Sequence, residues 1–214
     1  MSMFSRKVCV TSLVATLLGS GLAHANLLAN GSFEGGTFTP DLHGVQHLDV
    51  SAGAFPIDVW TPFVGGLFWV DNANDYGISA SDGNRSINLY DPFRPLVGVG
   101  SLQQTIVSTI GTRYALTFDV GGGGVRVQAA GQSADFFNTG GSGWQHENWT
   151  FTANDTTTVV YFQGLVGNGY NLLDNAVLNV AAAVPEPESW AMLLLGLAGL
   201  VWQARRLKRS AHYA

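Results

Sequence analysis

The middle of the chain alternates apolar and polar side chains with a period of two, which is typical of half-buried β-strands. In residues 114–120 every second side chain is apolar, and these are Tyr114, Leu116, Phe118 and Val120. Residues 149–152 and 157–162 show similar patterns, and the Ala153-Asn154-Asp155 step between them predicts a turn. We therefore expect an antiparallel hairpin from Trp149 to Phe162.

Other strands are predicted along the rest of the body, at 26–34, 67–71, 86–90, 102–107, 125–130 and 172–180. About nine short strands joined by glycine-rich turns favour an all-β fold, a β-sandwich. The run Gly121 to Gly124 has neither the lysine nor the following helix of a phosphate-binding loop, so it predicts a turn or a bulge. Residues 37–63 fit no clear pattern and are interpreted as an insertion or a divergent loop.

The first 25 residues have the order of a secretory signal peptide, with Arg6 and Lys7 followed by an apolar run. Ala23 and Ala25 flank His24 in the small-x-small pattern of signal peptidase, so cleavage by the general secretion machinery is expected after Ala25. A retained N-terminal membrane helix is the alternative. The single cysteine, Cys9, lies inside this leader, so the mature chain is expected to have no disulfide and no cysteine-bound metal.

The C-terminal region begins with a small-residue linker, 181–184, followed by the proline-rich run 185–188 that is not expected to be helical. Residues 190–202 lack polar side chains, and a helix over 189–204 would be about 24 Å long, against a hydrocarbon core of about 30 Å. This is a marginal transmembrane span. A basic cluster follows it and would hold the C-terminus in the cytoplasm, and it consists of Arg205, Arg206, Lys208 and Arg209.

This order of features at residues 185–209 resembles the PEP-CTERM sorting signal, whose motif is represented here by Val184, Pro185, Glu186 and Pro187. The resemblance implies that the chain is a client of exosortase, a membrane-embedded cysteine transpeptidase that cuts at the motif and releases or transfers the body. We then expect a transient inner-membrane intermediate, followed by delivery to the cell surface or the extracellular matrix. A permanent single-pass anchor is the alternative.

The net charge of −5 hides a strong asymmetry between the ends and the body. The body, residues 26–180, has four arginines, no lysine and thirteen Asp and Glu residues, so its net charge is −9. A domain this acidic is repelled by phosphate backbones and by anionic lipid surfaces. Nucleic acid is therefore not expected to be a partner.

Several short segments of the body resemble known surface proteins. Residues 26–34 and 172–178 resemble the first and last strands of galactose-binding-like jelly rolls. Residues 81–89, 103–105, 111–119 and 149–153 resemble bacterial choice-of-anchor surface proteins and a related plant and bacterial cell-wall family of uncharacterised function. The resemblance implies a jelly-roll sandwich that binds carbohydrate. It also implies a structural Ca²⁺ ion held by Glu34 and Asp174, unless both carboxylates accept hydrogen bonds from neighbouring loops instead.

Sugar-binding sandwiches stack pyranose rings on exposed aromatic side chains and orient the hydroxyls with polar groups. The ligand-binding candidates on this basis are Trp60, Trp69, Tyr90, Arg126 and Trp144, with core packing as the alternative for each. Trp149 alternates with Phe151 and is expected to be in the core. His43 and His47 stand four residues apart, but Pro40 and Gly44 disfavour a helix, so a solvated loop is expected there rather than a metal site.

No catalytic residue is assigned. The run Gly140-Gly141-Ser142-Gly143 lacks the last glycine of a nucleophile elbow, and scattered acids do not define a glycosidase pair. The leading hypothesis is an exported, non-catalytic surface or matrix protein that binds polysaccharide, for instance the exopolysaccharide of its own cell. The alternatives are a structural matrix or adhesion protein without glycan binding, and a polysaccharide-cleaving enzyme.

Overall fold

A computed structural model describes residues 25–49, 55–90, 98–141, 143–165, 169–182 and 187–210. Within these residues it contains eleven strands and one helix. The strands are β1 Val45–Asp49, β2 Thr61–Val64, β3 Gly66–Asp71, β4 Arg85–Asn88, β5 Ser101–Val107, β6 Arg113–Gly122, β7 Gly124–Ala129, β8 Gln132–Phe137, β9 Trp144–Thr152, β10 Thr157–Gly164 and β11 Asn171–Val180, and the helix is α1 Pro187–Ser210.

The strands form two antiparallel sheets, which confirms the predicted jelly-roll sandwich. One sheet has six strands in the order β1-β3-β4-β11-β6-β9, and the other has five in the order β2-β5-β10-β7-β8. Gly123 alone separates β6 from β7, so the glycine run is the predicted turn, and Gly122 there has a φ of 69°. The chain passes from one sheet to the other at this turn.

Two predictions about the strands were wrong. Residues 149–152 and 157–162 do not form a hairpin, because β9 pairs with β6 in one sheet whereas β10 pairs with β5 and β7 in the other. Residues 26–34 form turns rather than a strand, with Asn30 and Phe33 at φ values of 52° and 56°. The described part of residues 37–63 contains β1 and the start of β2.

The main core fills the space between the two sheets, and it includes Trp60 and Trp69. The indole N–H of Trp60 donates to the Asn30 carbonyl at 2.8 Å, and that of Trp69 donates to the Phe33 carbonyl at 2.9 Å. Both rings are almost fully buried, and they fasten the N-terminal turns to the sandwich. Their predicted role in stacking sugars is therefore corrected: their ring faces are covered by the core. Trp149 is half-buried and packs against this core.

A second, smaller hydrophobic cluster lies on the outer face of the six-stranded sheet. It contains Phe68, Ile78 and Leu172, whereas the next residues along the strands, such as Trp69 and Leu173, point into the main core. The segment 72–80 contributes Ile78 and Tyr76 to this cluster. The side chain of Asn74 closes the segment, because it accepts hydrogen bonds from the N–H groups of residues 76 and 78 and donates to two carbonyls.

Helix α1 begins at Pro187, a position where the missing proline N–H costs nothing. It is longer than the predicted sixteen residues and includes two residues of the proline-rich run that were expected not to be helical. Its apolar side chains between Met192 and Trp202 are exposed. Among the described residues, no helix combines the length and the apolar character that crossing a membrane requires.

The predictions for Ala23 and for Val184, Pro185 and Glu186 lie outside the described residues.

Candidate functional site

The outer face of the five-stranded sheet carries a continuous row of side chains across all five strands. Strand pairing places each member opposite the next, and the row is Thr61, Gln103, Tyr161, Gln128 and Ser133. Directly paired residues lie on the same face of a sheet. Four inter-strand steps of about 4.8 Å give the row a length of about 19 Å.

The alternation of burial shows that this row faces away from the core. On β10, Val160 and Phe162 are completely buried, whereas Tyr161 between them is half-exposed. On β7 the same holds for Val127, which is buried, and Gln128, which is exposed. The row therefore lies on the solvent side of the sandwich.

Four of the five row residues, all but Thr61, line a groove of about 670 Å³. Tyr161 is one of its lining residues, and the ring of Phe63 meets the Tyr161 ring edge-on, with centroids 5.7 Å apart and an interplanar angle of 86°. Phe63 is 60% exposed, so an aromatic surface is open to solvent here. The β7–β8 turn and the loop before β10 form the rim, with the residues Ala130, Gly131, Gln132, Asn154 and Asp155.

The polar groups of the groove are mostly neutral amides and hydroxyls. The Gln103 and Gln128 side chains each offer an amide donor and a carbonyl acceptor. Among the described residues that line the groove, Asp155 is the one carboxylate and none is basic. Aromatic rings beside neutral amides suit a ligand that is apolar on one face and rich in hydroxyls at its edge.

Arg126 lies on the same face as the groove, two residues before Gln128, but its guanidinium is already paired. It makes two hydrogen bonds to Asp135, of 2.6 and 2.7 Å. The bond lowers the pKa of Asp135 and raises that of Arg126. The predicted ligand-binding residue is thus adjacent to the groove and bound to a carboxylate.

Trp144 lies at the other sheet, in a pocket of about 280 Å³ that it shares with Tyr76 and Tyr170. Tyr90 is half-buried and lines neither this pocket nor the groove. The five predicted ligand-binding residues therefore do not form one site: two are in the core, one is at a pocket, one is beside the groove and one is at neither.

Glu34 and Asp174, the predicted calcium ligands, both accept hydrogen bonds from residues 81–85. One Glu34 oxygen accepts from the N–H groups of Asn84 and Arg85, each at 2.7 Å. One Asp174 oxygen accepts from the N–H groups of Ser81 and Asp82, at 2.8 and 3.0 Å, and from the Ser81 hydroxyl.

Each of these two oxygens thus accepts at least two hydrogen bonds from the 81–85 loop. The Glu34 carbonyl also accepts a hydrogen bond from the Arg85 guanidinium at 2.8 Å. Among the described residues, no group of three or more His, Cys, Asp and Glu side chains is arranged to hold a metal. Burial raises the pKa of Asp174 to about 7, against the opposing effect of its backbone hydrogen bonds.

His43 and His47 each pair with a carboxylate instead of converging on one point. His43 lies 3.1 Å from Asp75, and His47 lies 3.5 Å from Asp41. The His47 ring also meets Phe68 edge-on, with centroids 4.4 Å apart.

Sequence reasoning missed the main residues of the groove, which are Phe63, Gln103, Gln128 and Tyr161. The strand containing Tyr161 is apolar or aromatic on both faces, at Val159 and Tyr161 as well as at Val160 and Phe162. The available signal was Tyr161 itself, an aromatic residue on the face of β10 opposite the face that carries Val160 and Phe162.

Two family profiles match the sequence of the chain. The sequence profile of a protein family of unknown function, DUF642, matches residues 26–168, and the profile of the PEP-CTERM protein-sorting motif matches residues 183–206. The predicted sorting tail and surface-protein body are thereby confirmed. The motif implies export and sorting to the cell surface. No functionally curated protein matches the chain.

Three solved structures illustrate the resemblance in fold. One, described as CBM4 structure and function, has 17% identity and a TM-score of 0.41 and covers 72% of this chain and 99% of its own. A family 35 carbohydrate-binding module from Clostridium thermocellum has 15% identity and a TM-score of 0.40, covering 57% and 92%. The active domain of tailspike protein 4 of bacteriophage CBA120 has 15% identity and a TM-score of 0.46, covering 73% and 21%.

Proposed function

We propose that this chain, which belongs to the DUF642 family, is an exported, non-catalytic surface or matrix protein that binds a neutral polysaccharide in the groove of its five-stranded sheet. The observation that carries the proposal is the row across the sheet, in which Tyr161 stands between Gln103 and Gln128. The part of the row that lines the groove, from Gln103 to Ser133, spans three inter-strand steps or about 14 Å, which suits several successive sugar units of an extended chain.

The chemistry of the groove supports a sugar ligand. The C–H face of a pyranose ring is apolar and packs on Tyr161 and Phe63, while its hydroxyls pair with the amides of Gln103 and Gln128. Unpaired amides in a covered groove are costly, so a ligand rich in hydroxyls is favoured over a purely apolar one.

Charge supports a neutral chain rather than a uronic acid polymer. The body carries a net charge of −9, Asp155 lines the groove, and the nearby Arg126 is neutralised by Asp135. An anionic polymer would meet repulsion without a compensating cation.

The same lining supports a binding role over cleavage. Glycosidases of the common type need two carboxylates on either side of the scissile bond. The described residues of the groove supply one, Asp155.

Sorting through the tail completes the proposal. Signal peptidase cuts after Ala25, helix α1 is held briefly in the inner membrane, and an exosortase-type transpeptidase then cuts near Pro187. The exposed apolar side chains between Met192 and Trp202 support recognition inside a membrane. Mass spectrometry of the protein from its native host is expected to show a mature form that lacks Arg205 to Ala214. An intact C-terminus would contradict this step.

The binding proposal is tested with a panel of neutral and uronic polysaccharides, using the parent, Tyr161→Ala and the control Asn148→Ala. Asn148 is exposed on β9 in the opposite sheet. The parent and the control are expected to bind at least one neutral polysaccharide, and Tyr161→Ala to bind it at least about tenfold more weakly, since stacking contributes about 0.5–1.5 kcal/mol beyond area burial. Binding of no glycan would favour a structural matrix or adhesion protein, and release of reducing ends would favour an enzyme.

A calcium ion at Glu34 and Asp174 stays a prediction. The hydrogen bonds that both carboxylates accept argue against it in this conformation. Thermal unfolding with calcium and with a chelator tests it, because a ligand that binds the folded state raises the unfolding midpoint.

A further inference from the structure

Three half-buried aromatic side chains meet at one end of the six-stranded sheet. They are Tyr76, Trp144 and Tyr170, and the pocket between them has a volume of about 280 Å³. Trp144 lies at the start of β9, opposite Gly121 on β6, and Leu172 of β11 pairs with the same glycine. Because Leu172 belongs to the outer hydrophobic cluster, the pocket opens on the outer face of this sheet, away from the groove.

A hydrogen bond and a glycine fix the position of the Trp144 ring in the pocket. Its indole N–H donates to the Ser79 carbonyl at 2.8 Å. Gly121 provides the space under the ring, because a Cβ atom there would lie 3.3 Å from the Trp144 ring and 3.0 Å from Leu172. Even a methyl group at Gly121 would require Leu172 and the Trp144 ring to shift by a few tenths of an ångström.

Gly122, next to Tyr170, must also be a glycine. Its φ is 69°, and a Cβ atom there would lie 2.2 Å from the Tyr170 carbonyl oxygen. The Tyr76 and Tyr170 rings lie 6.4 Å apart at an angle of 55°, so they form two walls rather than one stacked pair. Four separate chain segments thus enclose the pocket, at 76–79, 121–122, 143–144 and 170–172.

Size and enclosure limit what this pocket holds. Its volume is less than half that of the groove, at the lower limit of small-molecule sites. The described lining residues are aromatic, aliphatic, glycine and serine, with no charged side chain. A pocket lined by a half-buried tryptophan, two tyrosines and backbone groups matches one pyranose ring with its C–H face on the tryptophan.

Groups that bind hydroxyls lie two residue pairs further along the same strands, on the same face. Asp119 and His146 face each other there, with the His146 Nδ1 atom 2.7 Å from an Asp119 oxygen. The other Asp119 oxygen accepts a hydrogen bond from the Asn175 amide at 3.1 Å. His146 is two residues from Trp144 on the same face, about 6.6 Å along the strand, within reach of the hydroxyls of a sugar on that ring.

We infer that this aromatic pocket is a second carbohydrate site, which takes a single neutral sugar residue at a chain end, on the sheet opposite the groove. The identity of the ligand class rests on the proposed function, whereas the existence of the pocket does not. One protein molecule then holds the interior of one chain in its groove and the end of another in its pocket. Two sites on opposite faces make the protein a cross-linker of polysaccharide.

Tryptophan fluorescence tests the pocket directly with monosaccharides, using the methyl pyranosides of glucose, galactose, mannose and N-acetylglucosamine. The chain has six tryptophans, and Trp60 and Trp69 are buried whereas Trp202 is exposed, so a change caused by a sugar in the pocket is assigned to Trp144 by its loss in Trp144→Phe. At least one of these glycosides is expected to give a saturable change at millimolar concentration. The change is expected to persist in Tyr161→Ala and in the control Asn148→Ala, which lies about 13 Å along the strand from Trp144.

Two variants separate the pocket from other sources of signal. Trp144→Phe removes the reporter, and Tyr170→Ala removes one wall while leaving Trp144 in place. Both are expected to abolish the saturable change. The inference is overturned if no glycoside gives such a change, or if the change survives in Tyr170→Ala. The unfolding midpoint of each variant is measured first. If Tyr170→Ala is unfolded, Tyr170→Phe, which keeps the ring, replaces it. Tyr170→Phe is expected to weaken the saturable change, and a titration equal to that of the parent would then overturn the inference.

Cross-linking is measured as the turbidity of a polysaccharide that the parent binds. The parent is expected to produce turbidity with a maximum at intermediate protein concentration. At that concentration Tyr161→Ala is expected to produce much less turbidity, and Tyr170→Ala to produce none. If Tyr161→Ala leaves polymer binding unchanged while the monosaccharide titration behaves as expected, the groove proposal fails and the pocket stands. If Tyr170→Ala still cross-links, the pocket is not the second site.

Discussion

The two outer faces of the sandwich differ in how much of the sheet they leave open. The five-stranded sheet presents its row around Tyr161 directly to solvent, across its full width. On the six-stranded sheet, the segment 72–80 packs over a second hydrophobic cluster and leaves a small pocket at Trp144. One architecture thus provides a long groove on one side and an enclosed pocket on the other.

The two faces also depend on different contacts. The row on the five-stranded sheet needs only the strand ladder beneath it. Around the six-stranded sheet, the loop that follows segment 72–80 is held by the carboxylates of Glu34 and Asp174, which accept hydrogen bonds from residues 81–85. We therefore expect substitutions at these anchors to change stability, and substitutions in the row to change binding.

The largest expected effect is a dependence of stability on pH through Asp174. Burial raises the pKa of this carboxyl from 3.8 to about 7 in the folded protein, so the folded state binds a proton that the unfolded state has lost. The contribution to the free energy of unfolding is fully present below about pH 4 and is lost as the pH rises through about 7. It amounts to roughly 4 kcal/mol at most.

Chemical unfolding of the parent and of Asp174→Asn between pH 4 and pH 8 measures this contribution. The asparagine has no proton to lose, so the difference between the two proteins is expected to change with pH, with the parent relatively less stable at pH 8. A difference that stays constant across this range would contradict the raised pKa of Asp174.

A smaller effect is expected from Glu34, the second anchor. Glu34→Ala leaves the N–H groups of Asn84 and Arg85 without their acceptor, which costs about 2 kcal/mol in the free energy of unfolding. Glu34→Gln keeps an acceptor oxygen and is expected to recover part of the loss. Thermal unfolding is measured with calcium and with a chelator. If the loss on Glu34→Ala appears only with calcium, the carboxylate holds a cation rather than the loop.

In the row, the expected change is in binding rather than in stability. Gln128→Ala removes an exposed amide from the groove and leaves the buried face of β7 unchanged. The affinity for a neutral polysaccharide is expected to fall by about fivefold, as for the loss of one hydrogen bond of about 1 kcal/mol. The free energy of unfolding is expected to change by less than about 0.5 kcal/mol. Calorimetric titration measures the affinity, and chemical unfolding of the same preparation measures the stability. Equal free-energy losses in affinity and in stability would contradict the claim that substitutions in the row affect binding alone.

Much of this fold follows from local pattern, as the alternation at 114–120 shows for β6. Alternation does not say which sheet a strand joins, and this is why 149–152 and 157–162 were paired with each other although they lie in different sheets. At 26–34, the Asn30-Gly31 step is a local turn signal that the strand prediction overlooked, whereas the φ of 56° at Phe33 is uncommon for phenylalanine and has no local signal. Those turns are fixed by hydrogen bonds from Trp60 and Trp69, more than 25 residues away.

The candidate site was hidden for the same reason. Sequence reasoning chose the largest aromatic residues, and Trp60 and Trp69 proved to be core residues because the N-terminal turns cover them. In Tyr161-Phe162 either ring is chemically suited to bind a sugar. Which one faces solvent depends on the position of the opposite sheet, and that is a property of the assembled sandwich.

The smallest expected effect concerns the ion pair beside the groove. Arg126 and Asp135 are both substantially exposed, and exposed pairs contribute little to stability because solvent screens them and ordering two side chains costs entropy. Arg126→Gln is therefore expected to leave the unfolding midpoint unchanged within replicate scatter. Its effect belongs to selectivity: with Asp135 left unpaired, a cationic glycan such as chitosan gains affinity, and this gain disappears at high salt. Unchanged chitosan binding would show that the charge of Asp135 does not affect the affinity of the groove for its ligand.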